Sequence, residues 1–343
     1  MITEAVLANS LHLLLATLGL LLAGALAFRV SGHTLAFVWP SLRQLLAQST
    51  PRYHTASLLL FGVTPAVATT VALLSAVAVS QSAGFNLLAD HCHQGSDGFS
   101  CAPHLPAGSI NFTLPALALL SALLMLGLTL LPALRGHEHR RLSRNLGLCS
   151  RFDGALDAII VPSDRPFAFC LGLFVRRIYV SQALIDSLTE AELEIVLDHE
   201  RNHARRAHSA VLLFFGALSS AFPTRIRSEL TGALRLVLEH QSDRFAAIRC
   251  GDHLAVADLL IKLRRLQIDS SAHGHPRTPE LALSIEGGAL HKRIAWMIDP
   301  AAACERRVAT LAGRVLCCGV ISALMAGEAA HIALELLIDR LAA

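Results

Sequence analysis

Polar and apolar residues are distributed very unevenly along this chain. Long runs almost free of charge dominate the first 134 residues, and shorter patterned segments follow. Three of the early runs, about 5–28, 56–79 and 113–134, match the ~20 apolar residues a helix needs to cross a ~30 Å hydrocarbon layer. A fourth, about 308–326, is interrupted by Arg314, which either snorkels to the interface or precedes the span. The stretch 210–222 is too short to cross alone and predicts a buried or membrane-surface helix.

Between the apolar runs, charge sets the orientation. The connection after the first run carries Arg29, Arg43 and Arg52, and the third run is followed by Arg135, Arg140, Arg141 and Arg144. The connection 80–112 has no Lys or Arg, only Asp90 and Asp97. Basic loops stay in the cytoplasm, so the expected protein is multi-pass in the cell membrane. Its N-terminus and the loop 80–112 are outside, and residues 135–307 are cytoplasmic. A cleaved signal peptide ending near Ala25-Leu26-Ala27 is the rival reading. It fits poorly, because the first residues hold Glu4 and no basic group.

Composition agrees with the membrane reading. The chain has 343 residues, 53% hydrophobic and only 16% charged, which excludes disorder. Its formal charge of +3 does not call for a nucleic acid, so the bilayer is the first expected partner. Cys92 and Cys101 share the outside loop, where a disulfide is expected; His91, His93 and His104 around them leave metal binding as an alternative.

The cytoplasmic segment carries the chemistry. Residues 167–180, FAFCLGLFVRRIYV, predict a hairpin or two short strands. Thr189 and Glu192 then form a capping-box pattern at the start of a helix whose apolar face is Leu193, Val196, Leu197, Ala204 and Ala207. On it lies His199-Glu200-Arg201-Asn202-His203. Positions i and i+4 share a helical face, so both imidazoles can hold one Zn2+, and Glu200 can take a proton from the attacking water as general base. A catalytic zinc needs a third protein ligand. Glu239 fills that role best, with Asp243 one turn on to accept the free N–H of a ligand histidine; His240 and His208 compete with Glu239.

From Phe169 to Asp243, strand, Gly172, strand, LTEAELEIVLDHERNH, apolar helix, Pro223 and LEHQSDRFAA together resemble the gluzincin membrane peptidases of the BlaR/MecR antirepressor type. The resemblance implies a mainly α membrane protein, with four transmembrane helices and a cytoplasmic α+β gluzincin (HExxH) peptidase domain. It also implies one zinc per chain on His199, His203 and Glu239, catalysis by Glu200, and a protein substrate such as a BlaI/MecI-type repressor. No direct nucleic-acid binding is expected. Beta-lactam sensing is not implied, because the sequence lacks the extracellular penicillin-binding domain of the best-known members. Related prenyl-protein and heat-shock proteases place an Arg soon after His-Pro. Here Arg293 lies 18 residues beyond His275, which weakens a transition-state role and leaves open either a supporting place behind the metal ligands or an ion pair that holds the domain together. A membrane quality-control protease and a catalytically dead scaffold are the competing functions.

Overall fold

In the computed structural model the described residues are 22, 24–46, 51–81, 123, 127, 150–173, 175–272, 287–298, 317, 321 and 325. Cys92, Cys101, His275 and Pro276 lie outside them, as do nearly all of the expected spans 113–134 and 308–326 and most of 5–28.

The metal-binding motif stands between a small sheet and a helical layer. Strands β1 (Arg151–Asp153), β2 (Ala158–Val161), β3 (Ala168–Leu171) and β4 (Arg177–Ser181) form one sheet in the order β1-β2-β4-β3. β2 and β4 run parallel, and the other pairs are antiparallel. The expected hairpin is β3–β4, with Phe169 opposite Tyr179. Gly172 leads out of β3 at φ +122°, and a Cβ there would collide with the Val175 carbonyl, so only glycine makes this turn. The strands β1 and β2 were not anticipated, although the run Ala158–Val161 is apolar and β-branched and buried throughout.

After β4, Ser181 caps the short helix α4 (Gln182–Ser187), written here after three N-terminal helices: α1 (24–36), α2 (Trp39–Leu46) and α3 (Pro51–Gln81). The motif helix α5 (Glu190–Arg205) opens with the expected capping box, Thr189 accepting from the Glu192 backbone while the Glu192 side chain accepts from the Thr189 backbone. It ends before Ala207, which is left-handed at φ 53° rather than on the helix face the pattern assigned to it. That turn reverses the chain into α6 (His208–Leu218), the apolar stretch too short to span. α7 (Thr224–Cys250) then runs back along α5 and ends at Gly251, left-handed at φ 77°. α8 (His253–Ala272) and α9 (Gly287–Ile298) complete the described helices.

One core joins the sheet to α5 through Val180, Leu184, Leu193, Val196 and Leu197, and continues to Leu259 and Leu260 of α8. A second core joins Trp39, Leu58 and Phe61 to Phe215, Phe222, Leu230, Leu234 and Val237. The described residues of the connection between the first two apolar runs, 29–46 and 51–55, are therefore largely helical and packed. Trp39 donates to Glu229 at 2.7 Å, Gln241 donates to Thr55 at 2.8 Å, and the Phe61 and Phe222 rings stack at 5.2 Å. Gly62 allows this approach, because a Cβ there would meet the Phe215 ring.

The second expected span falls within α3, whose other side exposes Leu60, Val67 and Val71. Among the described residues, no helix is long and apolar enough to cross a membrane.

Candidate metal centre

Two antiparallel helices and an edge strand build the site. α5 supplies His199 and His203 one turn apart, and α7 presents Glu239 and Asp243 at the same spacing. A buried hydrogen bond from Asn202 to Ser242, 2.9 Å, fixes the register of the two helices. The Nε2 atoms of His199 and His203 lie 3.1 Å apart. Glu239 faces both, its oxygens 3.5 Å from His199 and 3.7 Å from His203. One donor atom from each of the three residues falls within 4.8 Å of the others.

The environment of these atoms fits a cation. Glu239 is 5% exposed, and neither of its carboxylate oxygens makes a hydrogen bond. Such a buried acceptor is costly unless a metal or proton meets it. Two imidazoles and a carboxylate are also the donor set of catalytic zinc sites that keep an open position.

Each ligand is held from behind. Asp243, fully buried, lies 3.0 Å from Nδ1 of His199, which leaves Nε2 turned toward Glu239. His203 pairs its Nδ1 with Nδ1 of the buried His208 at 2.9 Å, again freeing Nε2. The left-handed Ala207 places His208 there, edge-on to the His203 ring. The spacing gave only a candidate ligand at His208; the structure makes it a support for one. His240, the other competitor, packs edge-on against Trp296 at 4.9 Å and is not in the metal-binding group.

Arg293 closes the site from α9. It donates from Nε and Nη2 to the two oxygens of Asp243, at 2.7 and 2.6 Å, and its Nη1 lies 3.3 Å from Glu239. It is only 4% exposed, so this is a buried ion-pair cluster. Burial alone would raise both carboxylate pKa values. The Arg293 charge beside them wins, holding Glu239 at about 2 and Asp243 well below the usual carboxylate range. Burial also works against a charged His199, but Asp243 at 3.0 Å and the Glu239 carboxylate at 3.5 Å carry its pKa up to about 10. For His203 burial outweighs the raising effect of the Glu239 charge and pushes the pKa down to about 3.

Glu200 stands on the same helix, 3% exposed, with its Oε2 unpartnered. Burial raises its pKa to about 7, and the nearby Cys170 backbone N–H is among the groups opposing that rise. A carboxylate poised near neutrality suits a general base. Cys170 belongs to β3, the edge strand next to α5. Phe167 and Ser181 share a backbone hydrogen bond, so alternation turns the backbone groups of Ala168 and Cys170 away from β4, toward the free edge. A narrow cleft runs from Ala168 past His199, Glu200 and Glu239 to an apolar wall of Leu184, Val256, Leu259 and Leu260. The thiol of Cys170 is pushed up to about 12 by burial, which disfavours the thiolate.

Residues 140–272 match the model for peptidase family M48. Members of that family are zinc metallopeptidases. The matched segment contains His199, Glu200, His203, Glu239 and Asp243 and stops short of Arg293. It supports a metallopeptidase hydrolase and does not single out the BlaR/MecR type. No curated protein and no solved structure matches the chain.

Proposed function

We propose that this protein is a membrane-held zinc endopeptidase that cuts an extended segment of another protein at the cytoplasmic face. The observation that carries the reading is the meeting of three features in one cleft: the His199–His203–Glu239 triad, the buried base Glu200, and the edge strand β3, beyond which no strand lies among the described residues.

Zinc held by the triad would serve as a Lewis acid toward the scissile carbonyl and the attacking water. The residues do the rest. The outward backbone groups of Ala168 and Cys170 pair with a substrate strand and fix its direction. Glu200 takes the proton of the attacking water and returns it to the leaving amine. Asp243 and His208 keep the two imidazoles oriented, and Arg293 keeps Asp243 and Glu239 ionised in a buried site. The wall of Leu184, Val256, Leu259 and Leu260 accommodates an apolar side chain.

The exposed stripe of Leu60, Val67 and Val71 on α3 supports a lipid-facing helix packed directly on the peptidase segment. The resemblance to the antirepressor peptidases points to a transcriptional repressor as the substrate. Glu200→Gln should keep zinc, reduce cleavage by about three orders of magnitude or more, and retain its target. Recovery of a DNA-binding repressor supports this reading, and a broad set of damaged membrane proteins assigns quality control instead. An unchanged cellular response in Glu200→Gln removes proteolysis from the function. Tags at Gly95 and Gly136 test the topology, the first labelled only from outside and the second only from inside; reversed labelling overturns it.

A further inference from the structure

On the far side of α5 from the metal site lies a groove of about 670 Å³ that the peptidase chemistry does not use. Arg201 and Arg205 stand two positions after His199 and His203, about 200° round the helix. They face Arg176 and Arg177 from the β3–β4 hairpin and Arg249 from the end of α7. Five arginines thus line one groove against two aspartates, Asp157 and Asp198. Asp198 is already shared by Arg201 at 3.1 Å and Arg249 at 3.2 Å, and Glu194 also engages Arg201. Among the described residues, Arg176, Arg177 and Arg205 have no carboxylate partner; Arg205 lies over the Phe245 ring at 5.7 Å. Three unneutralised guanidinium groups in one concave surface form a strongly positive, forked set of donors suited to carboxylates.

We infer that this groove docks an acidic peptide segment of a protein partner. Asp and Glu side chains would meet the Arg176, Arg177 and Arg205 guanidinium groups, and apolar side chains would settle on Phe152 and Val175, both exposed at the groove's rim. The position disfavours a lipid surface. The exposed stripe of α3 belongs with the helical layer that packs on the N-terminal half of α7, whereas Arg249 is about 36 Å further along that helix from Arg225. Docking needs neither metal nor Glu200.

The test uses the full chain in detergent, metal-free, and a fluorescent ten-residue Glu-rich peptide read by anisotropy. The peptide should bind at low salt and weaken steeply as salt screens the charges. A Gln-rich peptide of equal length should not bind. The double variant Arg176→Glu/Arg177→Glu should weaken the acidic peptide by about tenfold or more, and Arg205→Gln by less. These side chains are exposed and have no carboxylate partner, so melting temperature and zinc content should stay at wild-type values. Equal binding of both peptides overturns the inference, as does charge reversal without effect. Binding of anionic vesicles or a single-stranded oligonucleotide through these arginines, with the peptide unbound, also overturns it.

Discussion

Replacing Arg293 by Met keeps most of the side-chain volume and removes the guanidinium that, among the described residues, faces both site carboxylates from α9. Asp243 is fully buried and Glu239 nearly so, and Arg293 reaches the first through two hydrogen bonds and the second at 3.3 Å. Two unit charges about 4 Å apart interact by roughly 4 kcal/mol at an effective dielectric of about 20. Breaking a buried pair by removing one partner costs about 3–5 kcal/mol, because the remaining charge stays desolvated. At about 2–4 °C per kcal/mol for a domain of this size, the metal-free variant should melt roughly 10 °C below the metal-free wild type. Zinc supplies positive charge beside Glu239, so adding it should narrow the gap. Acid should narrow it as well. Both carboxylates have lowered pKa values in the fold, so the stability they bring is present above the unfolded value. For Glu239 it is lost as pH falls from about 4.5 toward about 2. The assay is thermal unfolding of chelator-treated protein from pH 7 down to about pH 2.5, with Arg293→Lys as the charge-keeping control. A metal-free Arg293→Met that melts within about 2 °C of wild type would refute the idea that this cluster holds the site together.

Two further outcomes concern the ligands. His199 is imidazolium in the metal-free site, with a pKa of about 10, whereas His203 is neutral, at about 3. Zinc must therefore displace a proton; calorimetry near pH 8.5, where Glu200 is already ionised, should show release of about one proton, and apparent affinity should rise about tenfold per pH unit below the His199 pKa. No buffer dependence of the binding heat would contradict that assignment. His208→Ala removes the partner of His203 Nδ1 and should weaken zinc binding by about 10–100-fold in competition with a chromophoric chelator. An unchanged zinc affinity would leave His208 a packing residue.

How far the site was legible in the sequence follows from the range of the interactions. His199, Glu200 and His203 are neighbours on one helix, so a local period announces them, as does the Thr189–Glu192 capping box. Glu239 and Asp243 were readable because they repeat the same one-turn spacing on a second helix. His208 was visible as a residue but not as a support, because its place depends on a left-handed Ala207 that no spacing rule foresees. β1 and β2 escaped notice because they are three and four residues long and are secured mainly by pairing, β2 in parallel with β4. The helical packing of 29–46 was hidden by its arginines, which marked it only as part of a basic connection.

That packing changes how the two halves of the chain depend on each other. Trp39 and Thr55 bond to Glu229 and Gln241 on the helix that carries Glu239, and Gln241 stands two residues from both Glu239 and Asp243. Phe61 fills the space beside Phe215 and Phe222, so α3 helps fix α6 and the start of α7. A cavity here would cost a few kcal/mol, and because α7 is one continuous helix the loss would reach the metal ligand through the backbone. The N-terminal helices therefore act as part of the wall that positions Glu239 rather than as a detachable anchor. A shift of α3 moves the third ligand relative to His199 and His203, which are set by a different core, that of the sheet and α8. The site thus lies on the seam between two cores, and any event that repacks one against the other acts first on the distance between Glu239 and the two histidines.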